Sequence, residues 1–229
     1  MKFVEISKPL VTQILSESLI LEAEGKNTHL EHLEDNIFNK GYAGAKESIN
    51  YLYSLHQMLE GNSKSKLNIT TKWDGKPAII CGNDPQSGKF FVGTKGVFGK
   101  QRPKINFTPQ DILDNHGPGE LSEKLTMALN LLSKLNWNTV AQGDMLWAGK
   151  DDFKTTEIDG ESYVTFKPNT IVYAVPKNSD LAKQITSKQF GIVFHTEYKG
   201  GPTLADTQAS FGFDSSVLGE ATGVWHTDA

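Results

Sequence analysis

The feature that constrains this chain most is a change of period at Gly61-Asn62-Ser63-Lys64-Ser65-Lys66. Before it, apolar residues recur at helical spacing. Thr28-His29-Leu30-Glu31 places a hydroxyl three residues ahead of a glutamate, the pattern of a capping box. Leu30, Leu33, Ile37 and Phe38 continue as one stripe, and Gly41 closes it. A further helix is expected from about Tyr42 to Glu60, and residues 3–24 read as one helix or as two split near Pro9. After the change come short β-prone runs: LNITTK, PAIICG, KFFVGTK, TVAQGDMLW, SYVTF, TIVYAVP and GIVFHT. The turn cluster Asn83 to Gly88 predicts a hairpin of strands 77–82 and 89–95, and the amphipathic LSEKLTMALNLLSKL predicts a helix over 121–135. The expectation is an α+β fold, an antiparallel or mixed sheet with helices packed on it, preceded by a helical subdomain. The boundary falls between residues 1–61 and 62–229. The final TGVWHTDA reads as a strand in mid-course, as in a domain truncated on its C-terminal side, although an exposed tail reads the same way.

Charge divides along the same line. Residues 62–110 hold nine Lys or Arg against two Asp, a net +7, whereas residues 1–61 carry a net −4. A local excess of positive charge draws in phosphates or nucleic acid. Only one of the 23 basic residues is arginine, Arg102, and arginine is the usual bidentate reader of phosphate and bases. No apolar run approaches the roughly 18 residues of a membrane span. The N-terminal residues lack the pattern of a secretory signal, and a single cysteine, Cys81, forms no internal disulfide. A cytoplasmic protein without a membrane partner is expected.

Within the basic block stands Thr70-Thr71-Lys72-Trp73-Asp74-Gly75, ahead of the predicted hairpin. A lysine is a nucleophile only when its amine is neutral, so its reference pKa of about 10.4 must be lowered by nearby cations or by burial. In an extended segment Asp74 lies on the same side as Lys72, where a carboxylate can orient a metal ion or a ribose hydroxyl. Gly75 permits close approach of a ligand or another backbone. Trp73 alternates to the other side and is expected to pack. The plain alternative is a charged hairpin with an Asp-Gly turn.

The Lys72-Trp73-Asp74-Gly75 motif resembles the K-x-D-G motif of covalent nucleotidyltransferases, the family of ATP-dependent RNA and DNA ligases and mRNA capping enzymes. The resemblance implies an ATP-grasp-like ligase domain in which Lys72 attacks the α-phosphate of ATP and carries AMP, with Asp74 beside it. VGTKGVF, with Lys95 and Gly96, is similar to the element that contacts ribose and phosphate in phage-type RNA ligases. Gly143-Asp144 is similar to the family's Gly-Glu pair at a strand end, which makes Asp144 the implied ligand of Mg2+. FGIVFH, residues 190–195, echoes the later strand but carries Phe190 where the family has a glutamate. The closing lysine pair has no clear counterpart; Lys199 and Lys167 are the two candidates, and His195 is a candidate substitute. Thr71, Gly75, Lys95, Gly96, Lys167, His195 and Lys199 are thus the expected nucleotide-binding set. The longer pattern THLEHLED followed by KWDGKPA also resembles a group of ligase-like proteins of large tailed phages, which would put the chain in a host cytoplasm.

Three readings stay open. One is an ATP-dependent RNA or polynucleotide ligase that passes AMP to a 5′-phosphate end. Another is a nucleotidyltransferase with an acceptor other than nucleic acid, or an inactive relative. The third is a structural or assembly protein of a phage. His29 and His32, near Glu31, Glu34 and Asp35, could hold a metal ion, but their spacing of three differs from the H-E-x-x-H pair, and packing or a protein partner for residues 1–61 is the stronger expectation.

Overall fold

A computed structural model describes residues 32–62 and 70–229. The chain divides into two compact units, Met1–Ile69 and Thr70–Ala229. The helix expected over 3–24, the capping box at Thr28 and most of the LNITTK run lie outside the described residues.

In the first unit, helix α1 runs Asp35–Leu59 and is broken at Gly41, whose φ of 57° and ψ of −131° leave the helical region. A side chain at Gly41 would meet the steric penalty of positive φ, so the stop signal read there is real, and the chain turns back instead of ending. The turn brings Asn36 against Ser48, and the Ser48 hydroxyl donates to the carbonyl of Leu33 at 2.9 Å. Lys40 and Glu47 pair at 3.0 Å across the same corner.

The second unit is built on a six-stranded sheet in the order β2-β1-β3-β7-β8, with β9 beside β7. The strands are β1 (Ala78–Asn83), β2 (Phe90–Gly93), β3 (Val140–Ala148), β7 (Phe190–Lys199), β8 (Gln208–Phe211) and β9 (Val224–Asp228). All pairs are antiparallel except β7 with β9, which is parallel. A separate three-stranded antiparallel sheet holds β4 (Lys154–Ile158), β5 (Glu161–Phe166) and β6 (Tyr173–Pro176). The architecture is α+β, with a helical region and a mixed sheet. Among the described residues, no helix is long and apolar enough to cross a membrane.

The hairpin of β1 and β2 forms where it was expected, and its turn is held by Asp84, which accepts from the Ser87 amide at 2.9 Å and hydroxyl at 2.6 Å. The second strand stops earlier than predicted. Lys95–Phe98 is a 3-10 turn that carries Val97 back over Gly93. Residues 70–75 are likewise irregular, so Lys72 precedes the strand instead of ending one. Two short helices went unread. Helix α2 (Pro109–His116) starts on a capping box of Thr108 and Asp111 with proline at its first turn, and α4 (Asp180–Ser187) is capped by Ser179. The predicted amphipathic helix is α3 (Glu120–Leu132).

The two faces of the larger sheet are covered differently. On one face Ile79, Cys81, Ala141, Met145, Ile192 and Phe194 meet Leu125, Ala128, Leu129 and Leu132 of α3 and Ile112 of α2 in a continuous apolar core. Each such side chain contributes roughly 1.5–3 kcal/mol on full burial. The opposite face carries two apolar clusters. One joins Leu146, Trp147 and Val193 to Val164 and Phe166 of the small sheet and to α4. The other joins Ile80, Val140 and Tyr198 to Phe91, Val97 and Leu204.

Candidate functional site

Between those two clusters the second face turns polar. Period-2 alternation along β3 puts Gln142 and Asp144 on it, between Val140 and Leu146. In the neighbouring strand, Gln142 pairs with Thr196 but Gly143 pairs with Phe194, so His195 is the extra residue of a β-bulge. A bulge re-aims the side chain that it inserts. Here it turns His195 toward Asp144, with Nε2 at 3.7 Å from the Asp144 Oδ1. Both side chains are largely enclosed, 12% and 21% exposed. Thr196 is buried beside them and its hydroxyl lies 2.7 Å from the His195 Nδ1. Tyr198 donates to the Gln142 Oε1 at 2.6 Å, and burial pushes the tyrosine hydroxyl's pKa up.

The Lys72-Trp73-Asp74-Gly75 segment packs against this strip. The Lys76 amide donates to the Met145 carbonyl and the Met145 amide to that of Pro77, so the segment enters β1 already paired with β3. A Cβ on Gly75 would lie 2.6 Å from the Asp144 Cβ and 2.7 Å from the Met145 carbonyl oxygen. Only glycine allows that approach. Three residues of chain span at most about 11 Å, so the Lys72 backbone is held near Asp144 across 72 positions of sequence.

Asp74 is engaged elsewhere. Its carboxylate accepts from the Asn169 Nδ2 at 2.8 Å, the Thr170 amide at 2.7 Å, the Thr170 hydroxyl at 2.6 Å and the Ile171 amide at 2.8 Å. A carboxylate offers about four lone-pair sites. The Thr170 hydroxyl, then the Ile171 amide and Asn169, hold the carboxyl well below the usual carboxylate range. The Asp74 amide itself donates to the Tyr173 hydroxyl at 2.8 Å, and Trp73 stacks on the Tyr173 ring at 5.3 Å. The expectation that Asp74 orients a metal ion or a ribose hydroxyl therefore gives way to a clamp between residues 73–74 and 169–173. Trp73 packs, as its alternation suggested.

The remaining predicted residues separate into those near the strip and those away from it. Thr71 lies exposed in the irregular segment. Lys167 is exposed at the end of β5 and opens the loop that Asp74 clamps. Lys95 is exposed on the 3-10 turn whose Val97 packs with Ile80 on the second face, and Gly96 is the turn's anchor, its carbonyl accepting from the amides of Gly99 and Lys104. Lys199 does not join them. Tyr198 points to the second face, so alternation sends Lys199 to the other, where it pairs with Glu197 at 2.8 Å. His29 lies outside the described residues, and His32 sits 3.7 Å from Glu34 with both side chains exposed. Among the described residues no three His, Cys, Asp or Glu side chains are grouped to hold a metal ion.

Asn169, Thr170, Tyr173, Gln142 and Thr196 were not singled out from sequence. Only Gln142 carried a signal, two residues before Asp144 in a run of alternation. A groove of about 640 Å3 lies elsewhere, between α2 and α3, lined by Pro109, Leu113, Met127 and Leu131. Its wall pairs no nucleophile with a base.

The family's sequence profile matches residues 27–229, which spans the helical region and the whole sheet. The chain belongs to DUF6267, a family of unknown function. No curated protein and no solved structure matches it.

Proposed function

We propose that the Thr70–Ala229 unit is a covalent nucleotidyltransferase of the kind found in ATP-dependent RNA and polynucleotide ligases, with a nucleotidyltransferase (ATP-grasp-like) sheet. The observation that carries this reading is the packing of Gly75 on Asp144, which joins the lysine motif to a carboxylate on a central strand. In the first step the neutral amine of Lys72 attacks the α-phosphorus of ATP. A P–N bond forms, the bond to the bridging oxygen breaks, pyrophosphate leaves and the amine's proton passes to solvent. In the second, an oxygen of a 5′-phosphate end displaces the lysine and takes AMP. A 3′-hydroxyl then attacks that phosphorus and AMP leaves.

Lys95 and Lys167 are the cations that offset charge on the transferring group. Asp144 and His195 fit a divalent ion such as Mg2+, because an enclosed carboxylate and an imidazole face each other on the strip. When bound, that ion polarises the α-phosphate. Asp74 acts as a positioning residue, fixing the loop that Lys167 opens. The acceptor in this reading is a nucleic-acid end, RNA before DNA by the family resemblance, and the protein works in the cytoplasm, a host's if it is viral. Residues 1–61 are an accessory region, available to a protein partner.

A second reading is favoured by Phe190, which is fully buried where the resemblance puts a glutamate. It is a nucleotidyltransferase with another acceptor, or an inactive relative. Incubation with α-labelled ATP, followed by a denaturing gel and intact mass, tests the first step. A label of one AMP is expected on wild type and none on Lys72→Ala with an unchanged far-UV spectrum. A folded wild type that stays unlabelled with Mg2+ and Mn2+, pyrophosphatase present, would return Lys72 to a structural role. Labelled protein that fails to seal 5′-phosphorylated nicked or single-stranded substrates would favour the second reading.

A further inference from the structure

The Asp144 carboxylate is only 21% exposed, yet among the described residues it accepts no side-chain or backbone hydrogen bond, and its ion-pair partner is the imidazole of His195. The separation of 3.7 Å is too long for a hydrogen bond. An enclosed carboxylate without donors is costly unless a cation or proton compensates it. The imidazole is held as a ligand would be. Its Nδ1–H donates to the buried Thr196 hydroxyl at 2.7 Å, which fixes the tautomer and turns the Nε2 lone pair toward the Asp144 Oδ1. Two lone pairs then face each other across a gap.

Neighbouring ligands of an octahedral ion with bonds of about 2.1 Å stand about 3.0 Å apart, so a contraction below about 1 Å closes both onto one ion. The bulge makes this possible. With regular pairing, the residue after Phe194 would alternate with it and take its place in the register opposite β3. The inserted residue instead stands free of the register and leans over Asp144.

We propose that Asp144 and His195 form an open site for a first-row transition ion of the Mn2+ class, in preference to Mg2+. The ligand chemistry sets the preference: imidazole suits transition ions, whereas Mg2+ selects oxygen donors and keeps its waters. Two protein ligands leave the other positions to water and to a phosphate oxygen. This last part rests on the nucleotidyltransferase reading; the ion site does not. Thr196 is a positioning residue that acts through the His195 ring.

The test is paramagnetic broadening of the histidine ring signals in protein labelled with 15N-histidine, using Mn2+ alone and then Mn2+ with a non-hydrolysable ATP analogue. His195, assigned with His195→Gln, is expected to broaden at Mn2+ levels below those that affect His32, His56, His116 and His226. Asp144→Asn should remove that selectivity, and Thr196→Val should weaken it by about 10–100-fold. Mg2+ in equal concentration should not displace Mn2+. Each variant is read beside its far-UV spectrum, and if Asp144→Asn fails to fold, Thr196→Val and His195→Gln decide. Broadening without preference for His195, full broadening in Asp144→Asn, or a proton found on Nε2 in the presence of Mn2+ would overturn the site. Selective broadening that the nucleotide analogue leaves unchanged would keep the ion site and count against the nucleotide reading. Loss of the site with Lys72 still labelled in Mg2+ would do the reverse.

Discussion

The two faces of the six-stranded sheet are made from the same strands and do different work. The face under α2 and α3 is apolar from Phe190 through Ile192 to Phe194, and it has no polar interruption that needs a partner. The other face puts Gln142, Asp144, His195 and Thr196 between two apolar clusters. Filling that strip with apolar side chains would have joined the clusters, so stability alone does not account for it. Gln142 and Thr196 are satisfied by Tyr198 and His195, which leaves Asp144 as the group whose environment asks for a ligand.

The largest effect expected is on the covered face. Phe194→Ala removes a fully buried ring that packs on Trp137 and Phe213, and should cost about 3–5 kcal/mol in urea unfolding. A loss within the error of the measurement would mean that the two faces are not energetically distinct. Gly75→Ala acts at the boundary. Its Cβ has no room against Asp144 and Met145, so the segment must shift, at about 1–3 kcal/mol, and labelling at Lys72 should fall with it. Stable, fully active Gly75→Ala would separate the lysine motif from the strip.

Asp144→Asn should sharpen the contrast from the other side. Because no described hydrogen bond depends on that carboxylate, the melting transition should move by no more than about 0.5 kcal/mol equivalent, while metal-dependent labelling drops by orders of magnitude. A large stability loss with activity intact would make the strip a structural feature. The smallest effect is the acid response of the Asp74 clamp. Its carboxyl is depressed in the folded state, so the clamp is fully present above the unfolded value of about 3.9 and is lost as pH falls through the folded value. Hydrogen exchange at the Thr170 and Ile171 amides should stay protected near pH 4 and open only in stronger acid. Asp74→Asn should expose both amides already at neutral pH; protection that survives this change would show that other contacts hold the loop.

Where residues announced themselves locally, the chain was legible. The Asn83–Gly88 turn gave the hairpin, the stripe of Leu125, Leu129 and Leu132 gave α3, and Gly41 gave the break in α1, because period, turn chemistry and positive φ are properties of a few neighbouring residues. The same local grammar was present and passed over at Thr108-Pro109-Gln110-Asp111, where aspartate stands in for the usual glutamate of a capping box, and at Asp159-Gly160, whose positive φ angles turn β4 into β5. Lys72 and Asp144 were singled out by residue type, but their meeting was not written in either segment. It depends on β1 lying beside β3 and on a glycine that lets two backbones touch. The clamp on Asp74 needed a loop nearly a hundred residues away, and the turn of His195 toward Asp144 needed a slip in register between β3 and β7. By itself the sequence determined the elements and the chemical types at hand. Which of them share a face, and which carboxylate is left in want of a ligand, was decided by long-range pairing, because strand register and hydrogen-bond saturation belong to the assembled sheet and to no single segment of it.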